Sequence, residues 1–391
     1  MNRATSLFVA ALFAAVALPD QLAAQSTNVR PLNINQNTRG KSGIFRGSGN
    51  LIRSNATSSF IGGGQSNLII TNATNAVIGG GFGNVISNRF ATVGGGYQNT
   101  ASGDSAAVGG GLVNTASGPA ATVSGGQQNT ASGQIAAVGG GLGHTASGQI
   151  ATVGGGQQNT ASEPSATVGG GFANTASGQI ATVGGGQLNM ASGLSATVGG
   201  GFVNTASGVY SCVPGGAFAT ASHRGSFVYN GDDSEPTASF GEGTFAVRCE
   251  GGVQFYTANG GVGAQLLAGA TAWDALSDSN SKTDFEPIKP REILSKVAAL
   301  PVKAWHYKHD RKRLYIGPMA QDFRAAFGLG SGDKTISTLD SDGVMYAAIQ
   351  GLVEELKDRD AKIGELEASG AGLKAKMEAM EERLNALPPA R

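Results

Sequence analysis

The feature that most constrains this chain is an offset of 15. The run Ala91-Thr-Val-Gly-Gly-Gly-Tyr-Gln-Asn-Thr-Ala-Ser-Gly103 recurs at that spacing, and its valine falls at Val93, Val108, Val123, Val138, Val153, Val168, Val183, Val198 and Val213. An asparagine slot follows at Asn84, Asn99, Asn114, Asn129, Asn159, Asn174, Asn189 and Asn204, with His144 standing in the series where Asn is otherwise found. Two earlier glycine triplets, Gly62 to Gly64 and Gly79 to Gly81, are 17 apart, so the array starts irregularly, as terminal repeats do. Fifteen residues are too few for a helical repeat, and glycine triplets are costly inside helices. Two short strands joined by two glycine-rich bends fit the length, which predicts a parallel β-solenoid.

Within each copy the alternation sends Ala91 and Val93 to one face and Thr92 to the other. The expected core is thin, because its side chains are small. Stacked coils should bring identical Asn side chains above one another, where amide ladders can form. The outward residues are Thr, Ser, Gln and Asn with almost no charge, so packing several chains side by side would bury more surface. The elements Asn-Thr-Ala-Ser-Gly and Ala-x-Val-Gly, alternating coil after coil over residues 60 to 222, resemble the head repeats of trimeric autotransporter adhesins. That resemblance implies a left-handed parallel β-roll in a homotrimer, and a host or matrix surface glycan or protein as the partner of the head. The chain departs from that family at its C-terminal end, which reads as a charged helix and not as the strands of a membrane barrel.

Charge is distributed very unevenly. Residues 90 to 222 hold only Asp104 and Glu163, whereas residues 271 to 391 hold 37 of the 54 charged side chains. With 27 basic and 27 acidic residues the chain is no strongly basic nucleic-acid binder, and no nucleic-acid partner is expected. Asp104 and Glu163 stand 59 residues apart, near four coils, which is too far for the acid/base pair of a glycosidase. The glycine triplets invite a phosphate-loop reading, but no Gly-Lys-Ser/Thr follows and no helix begins after them. Cys212 and Cys249 have neither C-x-x-C spacing nor a nearby His, so no metal or cofactor is expected. His144, without partners, reads as a surface substitution. Asp232 and Asp233 read as a solvated turn, since their spacing matches no calcium loop.

At the N-terminus Arg3, the apolar run Leu7 to Leu18, Pro19 and Ala23-Ala24 follow the order of a secretory signal peptide. No later segment is long and apolar enough for a membrane helix. The expectation is an exported chain, secreted or at the cell surface. Beyond the repeats, Phe227-Val-Tyr229, Thr244-Phe-Ala-Val-Arg248 and Val253-Gln-Phe-Tyr-Thr257 read as short strands of a β-rich neck.

The stretch Ala275-Leu-Ser-Asp-Ser-Asn-Ser-Lys-Thr-Asp-Phe285 precedes a predicted helix over Pro290 to Leu300, closed by Pro301. With Val302-Lys-Ala-Trp-His-Tyr307, Tyr315-Ile-Gly-Pro-Met-Ala-Gln-Asp322 and Asp342-Gly-Val-Met-Tyr-Ala-Ala-Ile-Gln-Gly-Leu352, it resembles the endosialidase-type intramolecular chaperone domain, peptidase family S74. The resemblance spans residues 273 to 360. It implies a domain that trimerises, winds the preceding β-structure into register and then cuts itself off at a Ser-Asp pair, here Ser277-Asp278 after Leu276. The implied catalytic pair is Ser277 with Lys282, five residues on. A Ser hydroxyl is a weak nucleophile, and a neutral Lys amine can take its proton. Side chains five apart do not meet on a helix, so the segment must bend or the pair must form between chains. Gln321 matches the family's Ala-Gln motif, while Asn280 and Tyr315 stand where the family has Arg and His.

Positions 349, 352, 356, 359, 363, 366, 370, 373, 377, 380, 384 and 387 keep a strict 3,4 spacing, and ten of the twelve are apolar. That predicts a coiled coil, with Gly370-Ala-Gly372 as a weak point or hinge. The expected architecture is mainly β: a signal peptide (1–24), an irregular segment (25–59), β-roll head repeats (60–222), a β-rich neck (223–272), an α+β chaperone domain (273–348) and a coiled-coil helix (349–391). The expected function is an exported homotrimeric adhesin-like fibre protein with a self-cleaving assembly domain, whose peptidase activity is a single intramolecular cut. The alternative is a non-processed adhesin or stalk that keeps this domain as a trimer clamp.

Overall fold

The computed structural model describes residues 42–232, 234–258, 263–330 and 332–385. The expected signal peptide, Asp233 and the last heptad position, Leu387, lie outside them. The chain divides after Gly251 into two compact units.

The first unit is the expected solenoid. A 14-stranded and a 13-stranded parallel sheet are built from strands mostly two residues long, each paired with its equivalent one coil on. Thr92 faces Ala107 and Val93 faces Val108 in one sheet, while Thr100 faces Thr115 and Ala101 faces Ala116 in the other. Each coil binds the next through its backbone, as in the 2.9 Å bonds from Thr92 N to Ala106 O and from Gly94 N to Val108 O. A third column of single-residue bridges runs through Tyr97, Leu112 and Gln127. Each coil turns four side chains inward, for instance Ala91, Val93, Asn99 and Ala101, all fully buried. A buried Val contributes on the order of 1.5–3 kcal/mol, so one coil alone is marginal and stability accumulates by stacking.

The glycine triplets are explained by the closeness of this stacking. A Cβ on Gly94 would clash with the Gly109 carbonyl oxygen, well inside van der Waals contact, and Gly96 adopts φ 92°. Most of the remaining bends are not glycine's work. Gln98 (φ 53°), Ser105 (φ 57°) and even the β-branched Ile135 (φ 60°) hold left-handed conformations, imposed by the backbone bonds of neighbouring coils against local preference.

The roll extends beyond the limits 60 and 222. Gly43–Ile44 already pairs with Phe60–Ile61, and Phe227–Asn230 pairs in parallel with Phe245–Arg248, where the Phe227 and Phe245 rings stack at 4.9 Å. These terminal coils hide from the period because they are longer, with Phe60 opposite Val77 and Phe227 opposite Phe245. The wider early coils are filled by larger or extra side chains: Ile61, Ile69 and Ile78, with Ala56 and Ala73, are all fully buried. The first part of the expected neck is therefore roll.

The second unit begins with an antiparallel sheet of Val253–Tyr256, Gly263–Leu266 and Asp274–Ala275. Helix α1 (Pro290–Ala299) starts with Pro at its first position, and its cap residue Leu300 is extended ahead of Pro301. A hairpin of Val302–Tyr307 and Asp310–Pro318 leads to helix α2 (Ala320–Phe327), which ends on the left-handed Gly328. Helix α3 (Thr338–Asn385) buries Val344, Ala347, Ala348 and Gly351. At Gly351 a Cβ would stand 2.5 Å from the Pro290 carbonyl oxygen, so only glycine admits this approach of α1 to α3. Arg291 ties the two helices further, to Glu354 at 3.1 Å and Asp358 at 2.6 Å. Helix α3 runs unbroken through Gly370 and Gly372, contrary to the expected hinge. Each glycine costs only about 1 kcal/mol, and the surrounding Ala, Leu, Lys and Glu favour helix.

Candidate functional site

The strand Asp274–Ala275 delivers the chain to Leu276 and Ser277. Asp278, still extended (φ −70°, ψ 130°), then caps a single 3-10 turn, Ser279–Ser281. Its Oδ1 accepts from the Asn280 backbone N–H at 2.9 Å and from Asn280 Nδ2 at 3.0 Å. Ser281 N donates to Asp278 O at 3.1 Å, and Lys282 N to Ser279 O at 3.2 Å. This turn brings Lys282 Nζ to 2.8 Å from Ser277 Oγ, within one chain. Of the two routes open to residues five apart, the structure takes the bend. Asp278 and Asn280, neither read as positioning residues, close it; the Asp-x-Asn spacing before a turn was the available signal.

Leu276, Ser277, Asp278 and Lys282 are all exposed. Tyr315 lies elsewhere in the unit, on the hairpin, where its ring stacks on Trp305 at 4.8 Å, meets Tyr307 edge-on at 5.2 Å and carries the Arg313 guanidinium at 5.0 Å. Gln321 stands exposed in the first turn of α2. Among the described residues neither is hydrogen-bonded to Ser277 or Lys282.

In the roll, the asparagine column is buried as a ladder of a different kind from the one expected. Asn99 Oδ1 accepts from the Asn114 backbone N–H at 2.9 Å, while its Nδ2 donates to the carbonyls of Gly95 and Gly111, both at 2.9 Å. Direct amide-to-amide bonds occur at the wider first coils, as from Asn67 Nδ2 to Asn50 Oδ1 at 3.1 Å. His144 is no surface residue: it is fully buried in this column, because the slot points inward in every coil. Its backbone N–H donates to Asn129 Oδ1 and its Nδ1 accepts from the Asn159 N–H, both at 3.0 Å, while Nε2 is buried without a hydrogen-bond partner.

Asp104 pairs with Arg89 of the neighbouring coil at 3.0 Å, and Glu163 is exposed at a bend, so the roll assembles no acid/base pair from them. Asp232 closes a turn but is buried and not solvated as expected, its carboxyl held below the usual carboxylate range first by the Ser234 backbone N–H and then by the Ser234 hydroxyl. Among the described residues there is no cluster of three or more metal-ligating side chains and no helix long and apolar enough to cross a membrane.

A comparison with curated proteins returns no match. Residues 277–328, which begin at the lysine-paired serine and run through α1, the hairpin and α2, match the Peptidase S74 family, described as chaperone of endosialidase, and they follow a parallel β-solenoid.

Proposed function

We propose that this is an exported homotrimeric, adhesin-like fibre protein whose C-terminal unit assembles the trimer and then severs itself at Ser277. The observation that carries the reading is the 2.8 Å contact between Lys282 Nζ and Ser277 Oγ at the start of the segment that matches the chaperone family. In the cut, a neutral Lys282 amine takes the hydroxyl proton as Oγ attacks the Leu276 carbonyl carbon. The proton passes to the Ser277 nitrogen as the peptide bond breaks. Water then hydrolyses the resulting ester, leaving a Leu276 carboxylate and a Ser277 amine. A neutral amine is favoured where water is excluded, and both side chains are exposed in the isolated chain. Self-association supplies the missing cover and times the cut to follow assembly.

Two further features support the assembly role. The α3 stripe is bare, with Leu356, Ile363, Leu366, Leu373 and Met377 each at least half exposed. Coils with nearly identical outer surfaces give neighbouring chains many equivalent alignments, so a unique self-associating end is needed to choose one. The competing reading, a clamp that stays attached, draws on Tyr315, which is engaged by Trp305 and Arg313 where the family has a His. The full-length protein and Ser277→Ala separate the two on a denaturing gel and by mass. Processing predicts two fragments meeting at Leu276 and Ser277 in the wild type and one intact chain in the variant. An intact wild-type chain leaves the clamp.

A further inference from the structure

We propose that His144 is a built-in acid-sensitive rung: at acidic pH the imidazole takes up a proton, leaves the asparagine column and opens the coils that meet at it, while the rest of the roll holds. The geometry admits one protonation state. The Asn159 backbone N–H can only donate, and it points at Nδ1 from 3.0 Å. Nδ1 must therefore present its lone pair, and the single ring proton sits on Nε2. A second proton on Nδ1 would set N–H against N–H inside a fully buried slot.

No acidic side chain near the ring compensates a positive charge. Along the column its neighbours are Asn129 and Asn159, and a Cβ on Gly141 would meet Nε2 at 2.5 Å, the place Nδ2 takes in the other coils. The core of these coils is apolar, with Val138, Ala146, Ala151 and Val153 among its buried members. Glu163 is the only acidic residue between 105 and 222, and it is exposed at a bend. Burial pushes the imidazole below its ordinary range. The carbonyl of Gly156 opposes this only in part, since Nε2 is not aligned to bond it, and the Asn159 N–H pointing at Nδ1 favours the neutral ring.

The sign follows. The folded state favours the neutral ring, so the contribution of this rung is complete above the ordinary histidine pKa of about 6.5 and is lost as the pH falls below it towards the depressed value. Over that interval the opening equilibrium of the coil rises by up to about tenfold per pH unit, one proton being taken up. An amide in the same slot does not titrate, and it satisfies both glycine carbonyls.

Hydrogen exchange on the intact protein at pH 7.5 and 5.0, corrected for intrinsic rates, tests this. Peptides covering residues 129–160 should lose about tenfold or more in protection at pH 5.0 relative to peptides from 84–115 and 174–205. His144→Asn, which restores the repeat's own residue, should fold and remove the difference. Equal protection loss along the whole roll, no loss at residues 129–160, or an unchanged loss in His144→Asn would each overturn the proposal.

Discussion

At the scale of single residues, what matters is how completely a buried polar group is answered. Each ladder asparagine satisfies one backbone N–H and two carbonyls, one of which also accepts a backbone N–H, so removing the side chain leaves two groups without partners. Asn114→Ala strands the Asn129 N–H and the carbonyl of Gly110, while the carbonyl of Gly126 keeps its bond from the Leu112 N–H. At about 1–3 kcal/mol for each of the two unsatisfied groups, less what relaxation and water recover, the loss should be about 2–4 kcal/mol, measurable as a lower denaturation midpoint of the roll. The same reasoning applies to the turn at Asp278. Asp278→Ala removes an N-cap worth about 1 kcal/mol and should slow processing by about fivefold, while Asp278→Asn, which still caps, should restore most of the rate. Equal rates in all three would show that the turn does not depend on the cap. Ser277 and Lys282 were legible by resemblance to a family. Their meeting was not, since a single 3-10 turn has no periodicity. The inward aim of His144 was legible in principle, because it occupies a slot whose other members face the core.

At the scale of elements, periodic patterns were read correctly and irregular ones were not. The inward Ala and Val positions, the two-strand coil and the limits of α1 all follow from spacing and from proline placement. The terminal coils escaped because their 17- and 18-residue lengths break the offset, although their alternating residues marked them as strands. The left-handed Ile135 escaped because tertiary bonding overrides its preference. The bare stripe of α3 was legible as heptads, whereas the buried stripe beside it was not: Val344, Ala347, Ala348 and Gly351 are small and make a weak apolar signal. Gly351 is the sharpest test of that packing. Gly351→Leu must push the Pro290 carbonyl away and should destabilise the C-terminal unit by about 1–3 kcal/mol. Thermal unfolding should show that unit melting earlier while the roll transition stays in place. An unshifted melt would mean that α1 does not rest on α3.

At the scale of the whole molecule, the regularity that makes the roll easy to extend makes it hard to align. Within one chain, connectivity fixes each coil against the next, and contacts only one repeat apart allow folding to propagate from any point. Between chains no such tether exists. Sliding one roll past another by a single coil exchanges each side chain for a near copy and sacrifices only the ends, so misaligned assemblies lie close in energy to the aligned one. On the proposed reading, a non-repetitive unit that associates in one way removes the degeneracy, and it is needed only until the rolls have locked, after which it can be cut away. Ile363→Lys combined with Leu366→Lys places charges on the bare stripe of α3 without touching the roll or the 2.8 Å pair at Ser277. Sedimentation of the variant should show monomers. If covering the pair also times the cut, Ser277 processing should fall with the loss of association, and the roll refolded from denaturant should stay open to proteases that spare the wild type. A variant that remains monomeric yet yields a protease-resistant, processed roll would separate the cut from assembly and return the C-terminal unit to the role of a passive end-piece.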